Sequence, residues 1–372
     1  MWMVDMSAGS AQADQHQRIR GIRFPGKYLQ GPDAINQLGC VCKEYGARAF
    51  CVLDHGIADM LRPIIYSAFD DHCELSLVSH DGDCTWAEIG NLAHQAKEFR
   101  CDCIVGLGGG KALDAAKAVA DRLVSPCVVV PTIAASDAPC SALAIIYNED
   151  GSLNRAHHLA RNPDVVIADT NLIAAAPSRF LAAGIADGLA TSIEANACRT
   201  SGANNTFGVL GISLAYEIAD LCEKVLFEFG EQAIAECEES IPGIAIERVT
   251  EANILLSGLG FESCGVAAAH GIQDGLCELY ETHSSLHGEK VAIGILAELK
   301  LQNASDQHFQ RYEEFMGKLG LPTRLSHIGI LDAKKEFLEK VATRACKKGD
   351  IIHNEPMSVT PEMVVGVLKQ LA

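Results

Sequence analysis

Residues 103–111 read Cys103-Ile104-Val105-Gly106-Leu107-Gly108-Gly109-Gly110-Lys111, an apolar run that ends in consecutive glycines. The apolar part has the length and composition of a buried strand, and residues 111–123 then follow the periodicity of a helix. A strand that passes through glycines into a helix is the repeating unit of a doubly wound α/β sheet. This stretch therefore predicts the fold of the first half of the chain.

Short β-type runs alternate with helical stretches on both sides of this motif. The helical pattern over 86–99 is one example, and Asn148-Glu149-Asp150-Gly151 is typical of a tight turn after a strand. The apolar runs that we interpret as further strands are 49–53, 75–78, 127–130, 144–147 and 165–168. Strands that alternate with helices predict a Rossmann-like domain with a mainly parallel sheet.

The sequence changes character after Pro177, where strand patterns give way to long stretches of helical periodicity. We therefore predict a disordered extension over 1–17, an α/β domain over 18–177 and an all-α domain over 178–372. The predicted helical stretches of the last domain are 185–200, 206–238, 243–279, 288–302, 307–319, 334–347 and 360–371.

The composition excludes several classes of protein. There are 48 acidic against 30 basic residues, a net charge of -18, so nucleic acid is not an expected partner. No apolar run approaches about 18 residues, and the N-terminus has no apolar core, so we expect neither a membrane span nor a signal peptide. The 15 cysteines are irregularly spaced without a CxxC pair, which favours reduced, buried thiols of a cytoplasmic protein.

Gly108, Gly109 and Gly110 are candidates for phosphate binding. Glycines let the backbone approach a phosphate, and the N-terminus of the following helix favours an anion. The motif is neither G-x-G-x-x-G nor a P-loop, because Lys111 and Ala112 stand where those patterns need other residues. A tight turn is the alternative, but three consecutive glycines after a strand favour a phosphate.

Two polar features follow other predicted strands. Asp54 ends an early strand and could accept hydrogen bonds from a ribose, although a solvated loop acid fits the pattern equally well. In the loop after residues 127–130, Thr132 and Ser141 could donate to phosphates, and Asp137 could accept from a hydroxylated substrate. Ordinary turn chemistry is the alternative for that loop.

Asp187 is a lone carboxylate within the small and apolar stretch 183–192, and a buried charge of this kind needs a partner. His270 and His287 could bind the same partner as Asp187, because a carboxylate and two imidazoles form a three-ligand set for a catalytic divalent metal. The spacing alone is weak evidence. His283 is a rival for His287, and single histidines are more often structural than ligating.

Taken together, these motifs resemble the iron-containing alcohol dehydrogenase superfamily, most closely its glycerol dehydrogenase branch. The resemblance extends from Pro25 to Pro356. It is carried by Gly108-Gly109-Gly110-Lys111 with Asp114, Pro131-Thr132-Ile133 with Asp137-Ala138-Pro139-Cys140-Ser141, Gly184-Ile185-Ala186-Asp187, and His287-Gly288-Glu289-Lys290.

The resemblance implies an NAD-linked oxidation of glycerol to dihydroxyacetone at a catalytic metal. It implies that Asp187, His270 and His287 are the metal ligands, that Asp137 and Phe261 border the substrate, and that the enzyme is a homo-oligomer of up to eight subunits. The residues that it places along the NAD site are Asp54, Gly108, Gly109, Gly110, Lys111, Asp114, Thr132, Ser141, Leu143 and Tyr147.

Two positions depart from the family pattern. Thr191 stands where the iron enzymes carry a histidine, so zinc with three protein ligands is expected rather than iron. Ala135 lies where glycerol dehydrogenases usually have a serine that touches the cofactor. A vicinal diol can chelate a metal, which favours a diol over a simple alcohol. The alternatives are a dehydroquinate-synthase-like enzyme, a dehydrogenase for another small polyol or hydroxy acid, and a non-enzymatic nucleotide-binding regulator.

Overall fold

The computed structural model describes residues 18–70 and 72–372. A six-stranded parallel sheet, ordered β2-β9-β6-β5-β3-β4, forms the centre of the first half. The strands of the described residues are β1 (Arg20–Gly21), β2 (Lys27–Gly31), β3 (Arg48–Asp54), β4 (Glu74–His80), β5 (Cys103–Gly108), β6 (Cys127–Pro131), β7 (Leu143–Tyr147), β8 (Leu153–His158), β9 (Val165–Asp169) and β10 (Leu210–Gly211).

Every apolar run that predicted a strand forms one, and the prediction of a mainly parallel sheet is confirmed. The sequence did not indicate β2 or β8. Strand β2 lies at the edge of the sheet with mixed residues, and β8 is the largely exposed antiparallel partner of β7. Strands that lack two covered faces have no continuous apolar run by which to recognise them.

The order of the strands defines where a ligand can bind. After β3, the chain adds β4 on one side and then crosses to place β5 on the other side of β3. Ligands of open parallel sheets bind at such a switch point, outside the carboxyl ends of the strands. Here those ends bring Asp54, the last residue of β3, next to Gly108, the last residue of β5.

The second half of the chain is helical, as predicted. The α-helices of the described residues are α1 (Leu38–Lys43), α2 (Ala58–Phe69), α3 (Trp86–Phe99), α4 (Gly110–Leu123), α5 (Thr170–Ala175), α6 (Ser178–Ser201), α7 (Ser213–Glu238), α8 (Ile244–Thr250), α9 (Ser257–Cys264), α10 (Ala268–Leu276), α11 (His287–Leu301), α12 (Asp306–Lys318), α13 (Lys335–Ala345) and α14 (Pro361–Gln370).

Two of the predicted helical stretches differ from the structure. The stretch 206–238 becomes helical only at Ser213, and the two-residue β10 that precedes it pairs with β1. The stretch 243–279 is divided by a π-helical segment, Glu251–Leu256, and by a break after α9. At the break, Gly265 has a φ of 100°, which only glycine adopts without strain, so the helix ends there.

Helix α6 passes through the centre of the helical half and is buried along nearly its whole length. A helix that is apolar on all sides needs neighbours on all sides, and α7, α9, α10 and α11 provide them. Glycine permits the closest of these contacts. A Cβ on Gly184 would lie 1.9 Å from the carbonyl oxygen of Ala134, so α6 packs directly on the loop after β6.

Helix α6 begins immediately after Pro177, and the domain boundary at that residue stays a prediction. The predicted extension over 1–17 lies outside the described residues. Within the described part, no single helix is long and apolar enough to cross a membrane. One pair, Ile244–Cys264 with Ala268–Leu276, meets the same criteria of length and composition but is bent by 102°. All 15 cysteines lie within the described residues; each is free, and Cys40 is the only exposed one among them.

Candidate active site

Asp187 lies on α6 and is completely buried. The nitrogen atom Nε2 of His270 and that of His287 each lie 3.2 Å from its Oδ1 atom. Among the described residues, these three side chains form the one group whose ligand atoms all lie within 4.8 Å of one another. The rival His283 instead follows a short turn, where its ring contacts that of Tyr280.

The three side chains come from three separate helices. Asp187 occupies the middle of α6, His270 the first turn of α10, and His287 the first position of α11. Helix α11 can approach α6 only because Gly288 has no side chain. The trio therefore depends on the packing of helices that are distant in sequence.

The opposite charges that surround Asp187 and His270 shift the pKa values of both groups. Burial by itself raises the pKa of the Asp187 carboxyl, but His287 and His270 outweigh burial and hold that pKa below its usual range. For His270, burial acts to lower the pKa, whereas Glu194 and Asp187 more than offset it, so the pKa is raised well above its ordinary value. A positive charge is thus favoured beside Asp187, which is the electrostatic requirement of a cation site.

The donor set fits a divalent metal. Two imidazole nitrogens and one carboxylate oxygen are ligands that zinc and iron both accept, and three protein ligands leave a coordination position for water or substrate. The His287 side chain is 43% exposed, whereas that of Asp187 is 1% exposed, so the site opens to solvent on the side of His287. The structure thus brings together the three residues that the sequence analysis named, and their role as metal ligands stays a prediction.

Asp137, the predicted substrate residue, lies directly beside the trio. Its backbone N–H donates to Oδ2 of Asp187 across 3.2 Å, and its own Oδ2 accepts from Ser257 at 2.8 Å. Burial and the nearby Asp187 raise the pKa of the Asp137 carboxyl well above its usual value. The hydroxyls of Ser257 and Thr191 lie 2.8 Å apart. Thr191 therefore extends this hydrogen-bonded network.

Phe261, the other predicted substrate residue, lies on α9 and is 7% exposed. The same helix contacts the loop of Asp137 through Gly258, where a Cβ would lie 3.0 Å from the Asp137 carbonyl oxygen. The pair Gly258 and Gly260 thus serves close packing of α9. These two glycines are not part of a nucleotide motif, since a helical segment rather than a strand precedes them.

The glycine loop has room for a phosphate at the N-terminus of α4. Gly110, the first residue of α4, faces open space, with no heavy atom within 4 Å of where a Cβ would stand. Gly108 has a φ of 141°, and a Cβ there would lie 2.4 Å from that of Asp54. Free backbone N–H groups at a helix N-terminus are the donors that a pyrophosphate needs, so the residues fit a dinucleotide.

Asp54 is bonded to the turn that it begins and to the glycine loop. Its Oδ1 accepts from the N–H of Gly56 at 2.9 Å and its Oδ2 from that of Gly109 at 3.3 Å. Thr132 contacts the loop from the other side, donating its N–H to the Gly108 carbonyl at 3.1 Å. These bonds hold four predicted cofactor residues, Asp54, Gly108, Gly109 and Thr132, in one group at the switch point of the sheet.

The remaining predicted cofactor residues flank this group. Lys111 forms an ion pair with Asp83, and its ammonium lies 5.5 Å from the ring centre of Tyr147. Ser141 is completely buried and donates to the Ala138 carbonyl at 3.0 Å. The hydroxyl of Ser141 is therefore already used within its own loop, and its contact with the cofactor stays a prediction.

The contacts of Asp114 indicate that it stabilises the fold. It is 5% exposed, pairs with Lys117 at 2.9 Å, and accepts from the N–H of Ile145 at 2.9 Å. The ammonium of Lys117 also donates to the carbonyls of Ala138 and Leu143. This buried pair connects α4 with residues 138–145, which include Ser141 and Leu143. A direct contact of Asp114 with NAD stays a prediction.

Sequence reasoning missed Glu194 and Ser257. Glu194 is completely buried, and its Oε2 lies 2.6 Å from Nδ1 of His270. A spacing of seven residues puts Glu194 on the same face of α6 as Asp187, two turns further along, which is a signal that the sequence did contain. Ser257 carries no such signal, because its partner Asp137 is 120 residues away.

Comparison with known proteins gives consistent matches. The family model described as iron-containing alcohol dehydrogenase matches residues 25–170. The chain is 47% identical to glycerol dehydrogenase from Thermotoga maritima, with 93% of this chain and 95% of that protein covered. It is 41% identical to glycolaldehyde reductase from Halobacterium salinarum, with 92% and 94% covered. A solved structure of a probable glycerol dehydrogenase from Sinorhizobium meliloti 1021 has a TM-score of 0.90 at 39% identity, covering 95% and 98%.

The chain therefore belongs to the iron-containing alcohol dehydrogenase family. The predicted family and fold class are confirmed, and the protein is an NAD-dependent oxidoreductase.

Proposed function

We propose that the protein catalyses the reversible, NAD-linked and metal-dependent oxidation of glycerol to dihydroxyacetone, or the corresponding oxidation of a similar small vicinal diol. The observation that carries this proposal is the convergence of Asp187, His270 and His287 beside Asp137. The loop of Asp137 follows directly from Thr132, which is bonded to the glycine loop. Relatives named glycerol dehydrogenase support the same substrate.

In this proposal Asp187, His270 and His287 hold the metal, and the glycine loop holds the pyrophosphate of NAD. Zinc is the preferred ion because Thr191 offers no fourth imidazole. The metal would supply Lewis-acid polarisation of a substrate hydroxyl, and NAD would supply the hydride acceptor.

The chain's own contribution is to place charge and hydrogen bonds around the substrate. Asp187 offsets the positive charge of a cation. The N–H of Asp137 donates to Oδ2 of Asp187, so that Oδ1 of Asp187 faces both histidines. Ser257 holds one carboxyl oxygen of Asp137, and the other is left to bond a substrate hydroxyl. Phe261 provides an apolar border that limits water at the reacting carbon.

The location of the protein and its oligomeric state are also part of the proposal. A cytoplasmic location is expected from the free, mostly buried thiols. Assembly into a homo-oligomer of up to eight subunits is expected from the family resemblance.

A second candidate is the NADH-dependent reduction of a small hydroxyaldehyde. The observation that favours it is the 41% identity to glycolaldehyde reductase, because that relative is covered as completely as the glycerol dehydrogenases. The two candidates use the same chemistry in opposite directions, and the preferred substrate distinguishes them.

The test is a substrate panel with a matched pair of histidine variants. Glycerol, 1,2-propanediol and 1-propanol are each supplied with NAD, and glycolaldehyde with NADH, while NADH absorbance and bound zinc are measured. We expect the highest kcat/KM with glycerol and little turnover of 1-propanol. His287→Ala should lose zinc and more than about a hundredfold in kcat/KM, whereas His283→Ala should retain both.

Different results lead to different conclusions. A preference for glycolaldehyde over glycerol would select the second candidate. Full zinc content and full activity in His287→Ala would refute the metal site. An unmutated enzyme that keeps its full rate after complete removal of metal would refute the metal-dependent reaction itself.

A further inference from the structure

We propose that Glu194 is the positioning residue of the metal centre, which it serves by selecting the tautomer of His270 and by anchoring the first turn of α10. This inference rests on the proposed function, in which His270 is a metal ligand. In this proposal Glu194 contacts neither the metal nor the substrate. It acts through the ring of His270 and the helix turn that carries it.

Glu194 contacts His270 at both its ring and its backbone. Its Oε2 lies 2.6 Å from Nδ1 of the ring, and its Oε1 accepts the backbone N–H groups of His270 at 2.9 Å and Ala267 at 2.8 Å. The carboxylate is completely buried, so water does not compete for these bonds. One side chain therefore fixes the position and the rotation of the imidazole together.

The bond to the ring determines which nitrogen can bind a metal. An ionised carboxylate only accepts hydrogen bonds, so Nδ1 of His270 must carry the hydrogen. In a neutral imidazole the lone pair is then on Nε2, the atom that lies 3.2 Å from Oδ1 of Asp187. Metal-ligating histidines are commonly oriented in this way by a carboxylate, whose loss typically weakens metal binding by about 10- to 100-fold.

Two further buried carboxyl groups complete the anchor of α10. Glu355 accepts from the N–H of Ala268 at 3.2 Å, and Glu298 accepts from that of Ala269 at 2.7 Å. With Glu194, they satisfy four consecutive N–H groups that a helix start leaves without intrahelical partners. Negative charge at this end is also favoured by the helix dipole. The position of His270 on this turn is thus defined by contacts with α6, α11 and the segment before α14.

Glu298 provides a matched control for Glu194. Both are completely buried glutamates that cap the same helix turn, but Glu298 accepts from the N–H of Ala269 and from the side chain of Gln302, and has no hydrogen bond to the His270 ring. Burial and the neighbouring Glu355 raise the pKa of the Glu298 carboxyl well above its usual value. Glutamine has the same shape as Glu298 and keeps an oxygen that can accept the N–H of Ala269, so Glu298→Gln is the matched substitution.

The decisive variant is Glu194→Gln. Its amide oxygen can still accept the two backbone N–H groups, which leaves the amide NH2 facing Nδ1 of His270. That donor requires Nδ1 to be an acceptor, so the hydrogen moves to Nε2 and the lone pair needed by the metal is lost. We expect the zinc dissociation constant, measured by chelator competition, to rise about 10- to 100-fold in Glu194→Gln and to stay within about threefold in Glu298→Gln.

A spectroscopic measurement makes the test independent of the stability of either variant. The unmutated, zinc-loaded enzyme is labelled with 15N-histidine, and the His270 signals are assigned by comparison with His270→Ala. The ring must show a protonated Nδ1 and a ligating Nε2. Ligation through Nδ1 would overturn the proposal even if Glu194→Gln failed to fold.

The remaining outcomes separate this inference from the function on which it rests. Unchanged zinc affinity in Glu194→Gln, together with loss of zinc in His287→Ala, would overturn the positioning role and leave the metal site standing. An equal loss of zinc affinity in Glu194→Gln and Glu298→Gln would show that only the helix cap matters. An unmutated protein that binds no zinc would overturn both the inference and the metal site.

Discussion

Gly288 lies so close to Ala183 that a Cβ on the glycine would stand 1.9 Å from the Ala183 carbonyl oxygen. Because that oxygen belongs to the backbone of α6, it cannot move aside without displacing the helix. The contact fixes the first turn of α11 against α6, and so fixes His287 relative to Asp187. The candidate metal site therefore depends on a glycine that offers no ligand atom.

We expect Gly288→Ala to destabilise the protein by about 1–3 kcal/mol or more, because the added methyl overpacks a backbone contact. Zinc affinity should fall with it, because His287 must shift. Unfolding in urea and chelator competition measure the two effects. Gly317→Ala on α12 is the control, since its Cβ meets open space, and it should gain up to about 1 kcal/mol. Normal stability and zinc binding in Gly288→Ala would contradict the packing argument.

A substitution in the glycine loop should weaken cofactor binding without preventing the protein from folding. A Cβ on Gly109 would make ordinary contacts with the side chains of Ile133, at 3.4 Å, and Asp54, at 3.7 Å, and the backbone there is extended, so Gly109→Val should fold. Its side chain would stand before the N-terminus of α4 and weaken NADH binding by more than about tenfold, or 1.4 kcal/mol. NADH fluorescence titration gives the affinity.

Gly108→Ala serves as the comparison for that variant. Its backbone has a φ of 141°, and the new methyl would meet the side chain of Asp54, so this variant should lose stability as well as NADH binding. A folded Gly109→Val that binds NADH normally would show that the glycines only form a turn.

We expect Asp54 to set the preference for NAD over NADP. Its carboxylate lies at the switch point of the sheet, where it can accept from a ribose hydroxyl and repel a 2′-phosphate. Asp54→Asn keeps an oxygen for the N–H of Gly56 but removes the charge. The ratio of kcat/KM for NAD to that for NADP should fall about tenfold or more. Asp332→Asn, an exposed charge on the helical half, should leave the ratio unchanged, and equal use of both cofactors by the unmutated enzyme would refute this role.

The effect of zinc on stability should grow with pH. In the zinc-free protein the pKa of His270 is raised above its unfolded value, so its contribution is fully present below about pH 6.5 and is lost as pH rises through the folded-state pKa. The slope over that interval is at most about 1.4 kcal/mol per pH unit. The lowered pKa of Asp187 acts in the acid range, where its contribution is lost as pH falls.

Zinc competes with protons for its ligands, so the rise in Tm on adding zinc should be larger at pH 8.5 than at pH 6. Thermal unfolding with and without zinc at the two pH values gives this difference. In His270→Ala both the rise and its pH dependence should largely disappear. A zinc effect of the same size at both pH values would show that no proton is displaced from the trio.

The sequence by itself determined the parallel sheet and the helical second half. Strands such as β5 and β6 are covered on both faces, so they appear as continuous apolar runs that end in glycine or proline. Strands β2 and β8 lie at edges, where half-exposed residues leave no such pattern. The break at Gly265 was also missed, because both flanking segments are apolar and helical periodicity continues across it.

The candidate ligands could be named from residue types and family resemblance, but only the tertiary structure shows that His287, and not His283, lies beside Asp187. Sequence spacing gives no distance between α6 and α11, and their approach depends on Gly288 and Ala183. The same holds for Glu194, whose face on α6 was predictable but whose partner was not. Local periodicity reports which side of an element is buried. Which distant side chains meet there is decided by how the elements pack, because close packing fixes their separations to a fraction of an ångström.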